Sequence, residues 1–167
     1  NLGLIYMDRG DLDEAERMLR KALEIEEKLG RMEGLARQYG NLGLIHMNRG
    51  DLDEAERMFS KSLEINEKLG RMEGMARQYG NLGLIHMDRG DLDEAERMLR
   101  KALEIEEKLG RREVMANAYG NLGLIEAQRG QIDAARELWT KARDLYARIG
   151  IPHMVEKHQK WLDSLPK

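Results

Sequence analysis

Three sets of residues in this chain have types and spacings that suggest chemistry. The first is the stretch MDRGDLDEAE at Met7 to Glu16, which returns unchanged at Met87 to Glu96 and with Asn48 as its one change at Met47 to Glu56. It sets Arg-Gly-Asp, an adhesion tripeptide, inside a cluster of acids. A calcium loop needs acids at alternate positions, Gly at its sixth position and Glu at its twelfth, and this spacing does not supply them. A working Arg-Gly-Asp needs a free carboxylate on an extended tip. Here Asp51 immediately precedes an apolar helical pattern with Glu54 three residues on, the arrangement of a capping box, so its carboxylate is expected to be taken up by the helix start. The fourth copy, Arg129-Gly130-Gln131, keeps the turn and loses the tripeptide.

The second set is the histidines. His46 and His86 are equivalent positions one repeat apart, replaced by Tyr6 and Glu126 in the other copies, which suits packing better than catalysis. His153 and His158 lie five apart, a poor spacing for two ligands on one helix face. No Ser-His-Asp set, Gly-rich phosphate loop or isolated acid pair is present, and the many Asp and Glu alternate with Lys and Arg at helical pairing distances. We therefore expect no enzyme, no metal and no cofactor. The third set is a column of asparagines, Asn41, Asn81 and Asn121, each offering a donor and an acceptor.

The elements that must position these residues follow from composition and period. The 167 residues are 35% charged and 41% apolar, with one Phe, two Pro and no Cys. Ala, Leu, Glu, Lys, Arg and Met dominate, which are good helix formers. The formal charge of -3 arises from interleaved signs, so no basic face is offered to nucleic acid. No apolar run reaches the length of a membrane span, and the start has neither a basic leader nor a cleavage site. These features give the expectation of a cytoplasmic protein.

The chain repeats every 40 residues. Residues 1–30 form a partial first unit, 31–70 a second, 71–110 a third and 111–150 a divergent fourth, followed by an unrelated tail at 151–167 that we expect to cap one continuous solenoid. Each unit reads as two helices. Leu52, Ala55, Phe59, Ser62, Leu63 and Leu69 mark the buried side of the second, and Ala36, Tyr39, Leu42, Gly43 and His46 that of the first, expected from about Met32 to Arg49. Gly43 is expected to let the two helices approach closely near Ala55, while Phe59 fills a wider gap. Gly40, Gly80 and Gly120 have no equally plain packing role; a side-chain-free spot on a ligand-facing surface is one reading.

Leu42-Gly43, His46, Gly50, Ala55, Phe59 and Ser62, with Tyr39 at the leading aromatic place, resemble the signature of the tetratricopeptide repeat. The match recurs over residues 1–150, with a longer period than the usual ~34. The variant resembles the repeats of kinesin light chains, leucine-glycine-asparagine polarity adaptors and many bacterial regulators. The resemblance implies an all-α, right-handed superhelical solenoid of antiparallel helix pairs, whose first helices line a concave groove for peptide or helical segments of partner proteins. Carried over by position, the groove face presents Arg37, Asn41, Leu44, Met47 and Asn48 from one unit, and Arg77, Asn81, Leu84, Met87 and Asp88 from the next. Asn117, Asn121, Leu124 and Gln128 follow from the fourth, and Asn1, Leu4, Met7 and Asp8 from the opening half unit. Gly40, Gly80 and Gly120 stand where chaperone-binding members carry a carboxylate-clamp Lys.

Leu44 and Met47 lie off the buried stripe yet stay apolar in repeat after repeat, as contact surfaces do. Recent duplication would give the same identity without a ligand, and Leu44 and Leu84 are also placed to pack on an adjoining first helix. Asn1 falls in the middle of a first helix, so the chain reads as a piece of a longer array. Two further readings follow: self-assembly, as a homodimer or end-to-end stack, through an open edge at Leu2, Tyr6, Leu12 and Leu19, or service as the sensor region of a larger signalling protein.

Overall fold

The computed structural model describes residues 11–166. Among these, every regular element is an α-helix: α1 Leu12–Lys28, α2 Met32–Arg49, α3 Leu52–Lys68, α4 Met72–Asp88, α5 Leu92–Leu109, α6 Arg112–Gln128, α7 Ile132–Arg148 and α8 Pro152–Ser164. They pack as sequential antiparallel pairs in an all-α, tetratricopeptide-like array. The contacts divide into two compact units, Asn1–Ile85 and His86–Lys167. No helix among the described residues is long and apolar enough to cross a membrane.

In the first unit, α2 rests on both α1 and α3. Ala15 and Leu19 of α1, Leu42 and Ile45 of α2 and Met58 of α3 form one buried cluster, flanked by Leu12, Leu23 and Tyr39. Leu19 is 0% exposed. Leu12 borders the same cluster, and Leu2 and Tyr6, the other residues of the expected self-association edge, lie outside the described residues. The expected close approach at Gly43 is present but differs in kind. An ideal β-carbon there would stand 2.5 Å from Cε1 of Phe59, so the glycine receives the aromatic ring itself.

The corner between α2 and α3 turns at Gly50, whose φ of +78° is open to glycine at little cost. Its N–H reaches the Met47 carbonyl at 3.0 Å and that of Asp51 reaches His46 at 2.9 Å, closing the free end of α2. The Arg-Gly-Asp tripeptide is built into this corner: Arg49 pairs with the carboxylates of both Asp13 and Glu16 on α1. Asp51 departs from expectation. Its side chain caps nothing, whereas the equivalents Asp11 and Asp91 accept the N–H of Glu14 at 3.1 Å and of Glu94 at 3.4 Å. One Asp51 oxygen lies 3.4 Å from Nδ1 of buried His46, as one of Asp91 lies 3.7 Å from Nδ1 of His86.

The second unit repeats the plan. Ala95, Leu99 and Leu103 of α5 meet Ala118, Leu122 and Ile125 of α6, and Met87 packs half-buried against them. Gly123 receives Trp139 as Gly43 receives Phe59, with an ideal β-carbon 2.3 Å from its Cδ1. The tail forms α8 against α7. His158 and Leu162 are buried, and Trp161 lies 5.3 Å from Trp139 between ring centroids.

Candidate functional site

In the first unit the Gln78 side chain of α4 reaches across to α2, where an ideal β-carbon on Gly40 would stand 3.2 Å from its Nε2. Gly40 thus makes room for the Gln78 amide, a role its sequence did not disclose, and it also lines the space between the two first helices. That space is a cleft of about 140 Å³. From α2 it is lined by Glu33, Ala36, Arg37, Gly40, Asn41 and Leu44, and from α4 by Gly74, Arg77, Gln78 and Asn81. Asn66 of α3 and Arg71, just ahead of α4, complete the lining.

Five of the residues expected on the groove face, Arg37, Asn41, Leu44, Arg77 and Asn81, are therefore brought to one place. Helical geometry explains the grouping: steps of three and four residues along α2 and α4 align them on one side of each helix. Met47, Asn48 and Leu84 lie outside the lining. Glu33, Asn66 and Arg71 lie outside the expected set; Asn66 belongs to a second helix and Arg71 to a turn, off the spacing that aligns the first helices.

The side chains of the cleft are only partly satisfied. The Asn41 amide nitrogen is buried with no hydrogen-bond partner, and that of Asn81 donates to Gln78 at 3.4 Å, a long bond. Ser62 donates to the Ala36 carbonyl at 2.7 Å and Asn66 to the Ser62 carbonyl at 2.7 Å, which fixes the neighbouring α3 side chains. Arg37 stands 3.6 Å from Glu26 and Arg71 3.5 Å from Glu33, both too long for a hydrogen bond. The cleft accordingly offers amides and guanidinium groups, suited to peptide groups and carboxylates. Among the described residues no cluster of His, Cys, Asp and Glu is arranged to hold a metal ion.

A family described as the MalT-like TPR region matches residues 1–160, nearly the whole of this helical array. The chain belongs to that family. Solved structures agree with this TPR fold. BtubC (BKLC) from P. vanneervenii superposes with a TM-score of 0.77 at 21% identity, over 97% of this chain and 76% of that one. A putative kinesin light chain of Podosopora anserina with nearly identical TPR-like repeats gives a TM-score of 0.72 at 22% identity, over 88% and 72%. Aspartyl phosphate phosphatase F from Bacillus subtilis gives 0.89 at 18% identity, with 95% of this chain covering 42% of that one. No curated protein matches by sequence.

The second unit of this MalT-like TPR region treats its candidate residues differently. Asn117, on α6, is not free: its Oδ1 accepts the Tyr146 hydroxyl at 2.5 Å. Burial, with the Glu113 carboxylate as a lesser cause, pushes the Tyr146 phenol up to about 12. Asn121 and Leu124 are half-buried and Gln128 is exposed on the same helix, and Asp88 is exposed at the end of α4. His158 donates from Nδ1 to the Met154 carbonyl at 2.8 Å, while its Nε2 is buried without a partner. Burial holds its imidazole below the usual range.

Proposed function

We propose that this TPR region is a non-catalytic scaffold that holds an extended segment of a partner protein along its first helices, with the cleft between α2 and α4 as the principal hold. The observation that carries the reading is the Asn41 amide, buried in the cleft with no partner. Leaving a buried donor unmade costs roughly 1–3 kcal/mol, and an extended peptide brings the carbonyl oxygen that relieves it. Asn81 lines the same cleft one repeat on, its amide held only by the long bond to Gln78, and Leu44 supplies an apolar wall between two polar anchors. TPR proteins generally bind other proteins, which agrees with this use of the cleft.

The test compares the chain with an Asn41→Ala, Asn81→Ala, Asn121→Ala triple variant in a proteome pull-down, after circular dichroism has shown equal helicity and melting. Partners depleted in the variant support the reading. Equal retention of every partner by both proteins would sink it.

A further inference from the structure

The arginines of the second helices of each pair are tightly engaged: Arg17 lies 2.5 Å from Glu14, Arg20 2.6 Å from Glu16 and Arg100 2.6 Å from Glu96. Those of the cleft are not. Arg37 and Arg71 have loose pairs only, and Arg77 has no ion-pair partner among the described residues. The reason lies in a sequence departure. Arg37 and Arg77 are equivalent, and so are Glu26 and Asn66. The Glu26 side chain lies over Gly34, where an ideal β-carbon would meet its carboxyl carbon at 2.2 Å, and from there it faces Arg37. Asn66 lies over Gly74 in the same way, at 2.0 Å, but brings an amide. Arg77 thereby loses the carboxylate that its counterpart has.

The exchange is not isolated. The second repeat alone pairs Ser62 with Asn66, where the first and third repeats have Ala22 with Glu26 and Ala102 with Glu106. The two new side chains bond to one another's surroundings: Asn66 Nδ2 donates to the Ser62 carbonyl at 2.7 Å and lies 3.4 Å from its hydroxyl. Asn66 is 4% exposed and held in this orientation. A neutral floor is thus built under a cleft whose charged lining is Arg37, Arg71 and Arg77 against Glu33.

We propose that Asn66 is a specificity-determining residue that leaves Arg77 free to take a carboxylate side chain, so that the preferred ligand is an acidic segment of a partner protein. This rests on the groove reading above and names its ligand class. A guanidinium fork matches a carboxylate with two parallel hydrogen bonds, and within a partly desolvated cleft that contact exceeds its value on open surface. Asn66→Glu restores the arrangement of the first repeat, giving Arg77 an internal partner and removing the site without altering the fold.

The experiment displays a random twelve-residue peptide library to the wild-type chain, to Asn66→Glu, to Arg77→Gln and to Asn41→Ala/Asn81→Ala, each checked for an unchanged melting curve. The wild type is expected to enrich peptides rich in Asp and Glu. Individual synthetic winners should bind Asn66→Glu and Arg77→Gln about fivefold to tenfold more weakly, as for loss of one charge-assisted contact. A wild-type pool with no acidic enrichment, or acidic winners bound equally by Asn66→Glu, overturns the carboxylate assignment while the groove reading stands. A wild type that selects nothing, or an Asn41→Ala/Asn81→Ala variant that selects the same pool as strongly, overturns the groove reading itself and this proposal with it.

Discussion

The Phe59 ring packs directly against Gly43. An ideal β-carbon at that glycine would stand within 2.5–2.9 Å of three ring carbons, and the ring is fully buried. Helix propensity alone says that Gly43→Ala should stabilise α2 by about 1 kcal/mol. The contact says the opposite, because the added methyl has to displace an aromatic ring within a packed core, which costs about 1–3 kcal/mol. We expect net destabilisation in urea unfolding. The double variant Gly43→Ala/Phe59→Leu should recover most of the loss, since Leu19 and Leu99 occupy the equivalent place. A more stable Gly43→Ala single variant would show that the ring yields freely.

His158 makes the second unit acid-sensitive. The neutral ring is held by its bond to Met154, and the buried Nε2 has no acceptor for a second proton. Its folded pKa lies below the ordinary value of about 6.5, so the unfolded chain binds the proton first. Stability is then full above about pH 6.5 and declines as pH falls toward the folded pKa. His158→Gln should flatten the slope between pH 7 and pH 5.5 in denaturant titrations; Gln78 already occupies the corresponding place against Gly40. An identical slope in both proteins would assign the acid sensitivity to other groups.

Tyr146 should stand apart in a spectrophotometric pH titration. Its phenol is buried and bonded to Asn117, and ionises only at about 12. Tyr146→Phe should delete this late step and cost about 1 kcal/mol, the net worth of one hydrogen bond. Loss of an early step instead would mean that the hydroxyl is open to water.

Much of this was legible in the sequence because a repeat states each structural demand several times. The bounds of α2, Met32–Arg49, follow from the Gly-Asp corner and the periodic stripe. The grouping of Arg37, Asn41 and Leu44 with Arg77 and Asn81 follows from helical spacing and the recurrence of the pattern. What was not legible depends on contacts between elements. The Gln78 amide that rests against Gly40 comes from a different helix, and no spacing within α2 announces it. Asn66 carries a signal in the sequence: with Ser62 it breaks a repeated pattern at two places one helical turn apart.

The Arg-Gly-Asp corner supports a last prediction, because its copies differ in what their aspartate does. Asp91 accepts the Glu94 N–H and so satisfies one of the free donors at the start of α5. Asp51 makes no such bond, although both aspartates lie beside the equivalent histidine, His46 at 3.4 Å and His86 at 3.7 Å. Loss of a working N-cap typically costs about 1 kcal/mol. Asp91→Ala should therefore destabilise the chain by about that amount, and Asp51→Ala by less, with hydrogen exchange at the first turns of α5 and α3 reporting the difference locally. The arginine should matter more than Asp51. Arg49 binds Asp13 and the largely buried Glu16 together, tying the end of α2 to the start of α1. Although burial tends to raise the Glu16 pKa, its bonds to Arg49 and Arg20 hold it below the ordinary carboxylate range. The sign is that of a depressed acid: the contribution is present above about pH 4.5 and is lost as pH falls through the folded value. Arg49→Met keeps the stem and removes the fork; we expect about 1–2 kcal/mol of destabilisation at pH 7 that shrinks in acid. A loss of equal size at pH 7 and pH 3.5 would assign the effect to packing of the stem rather than to the pairing.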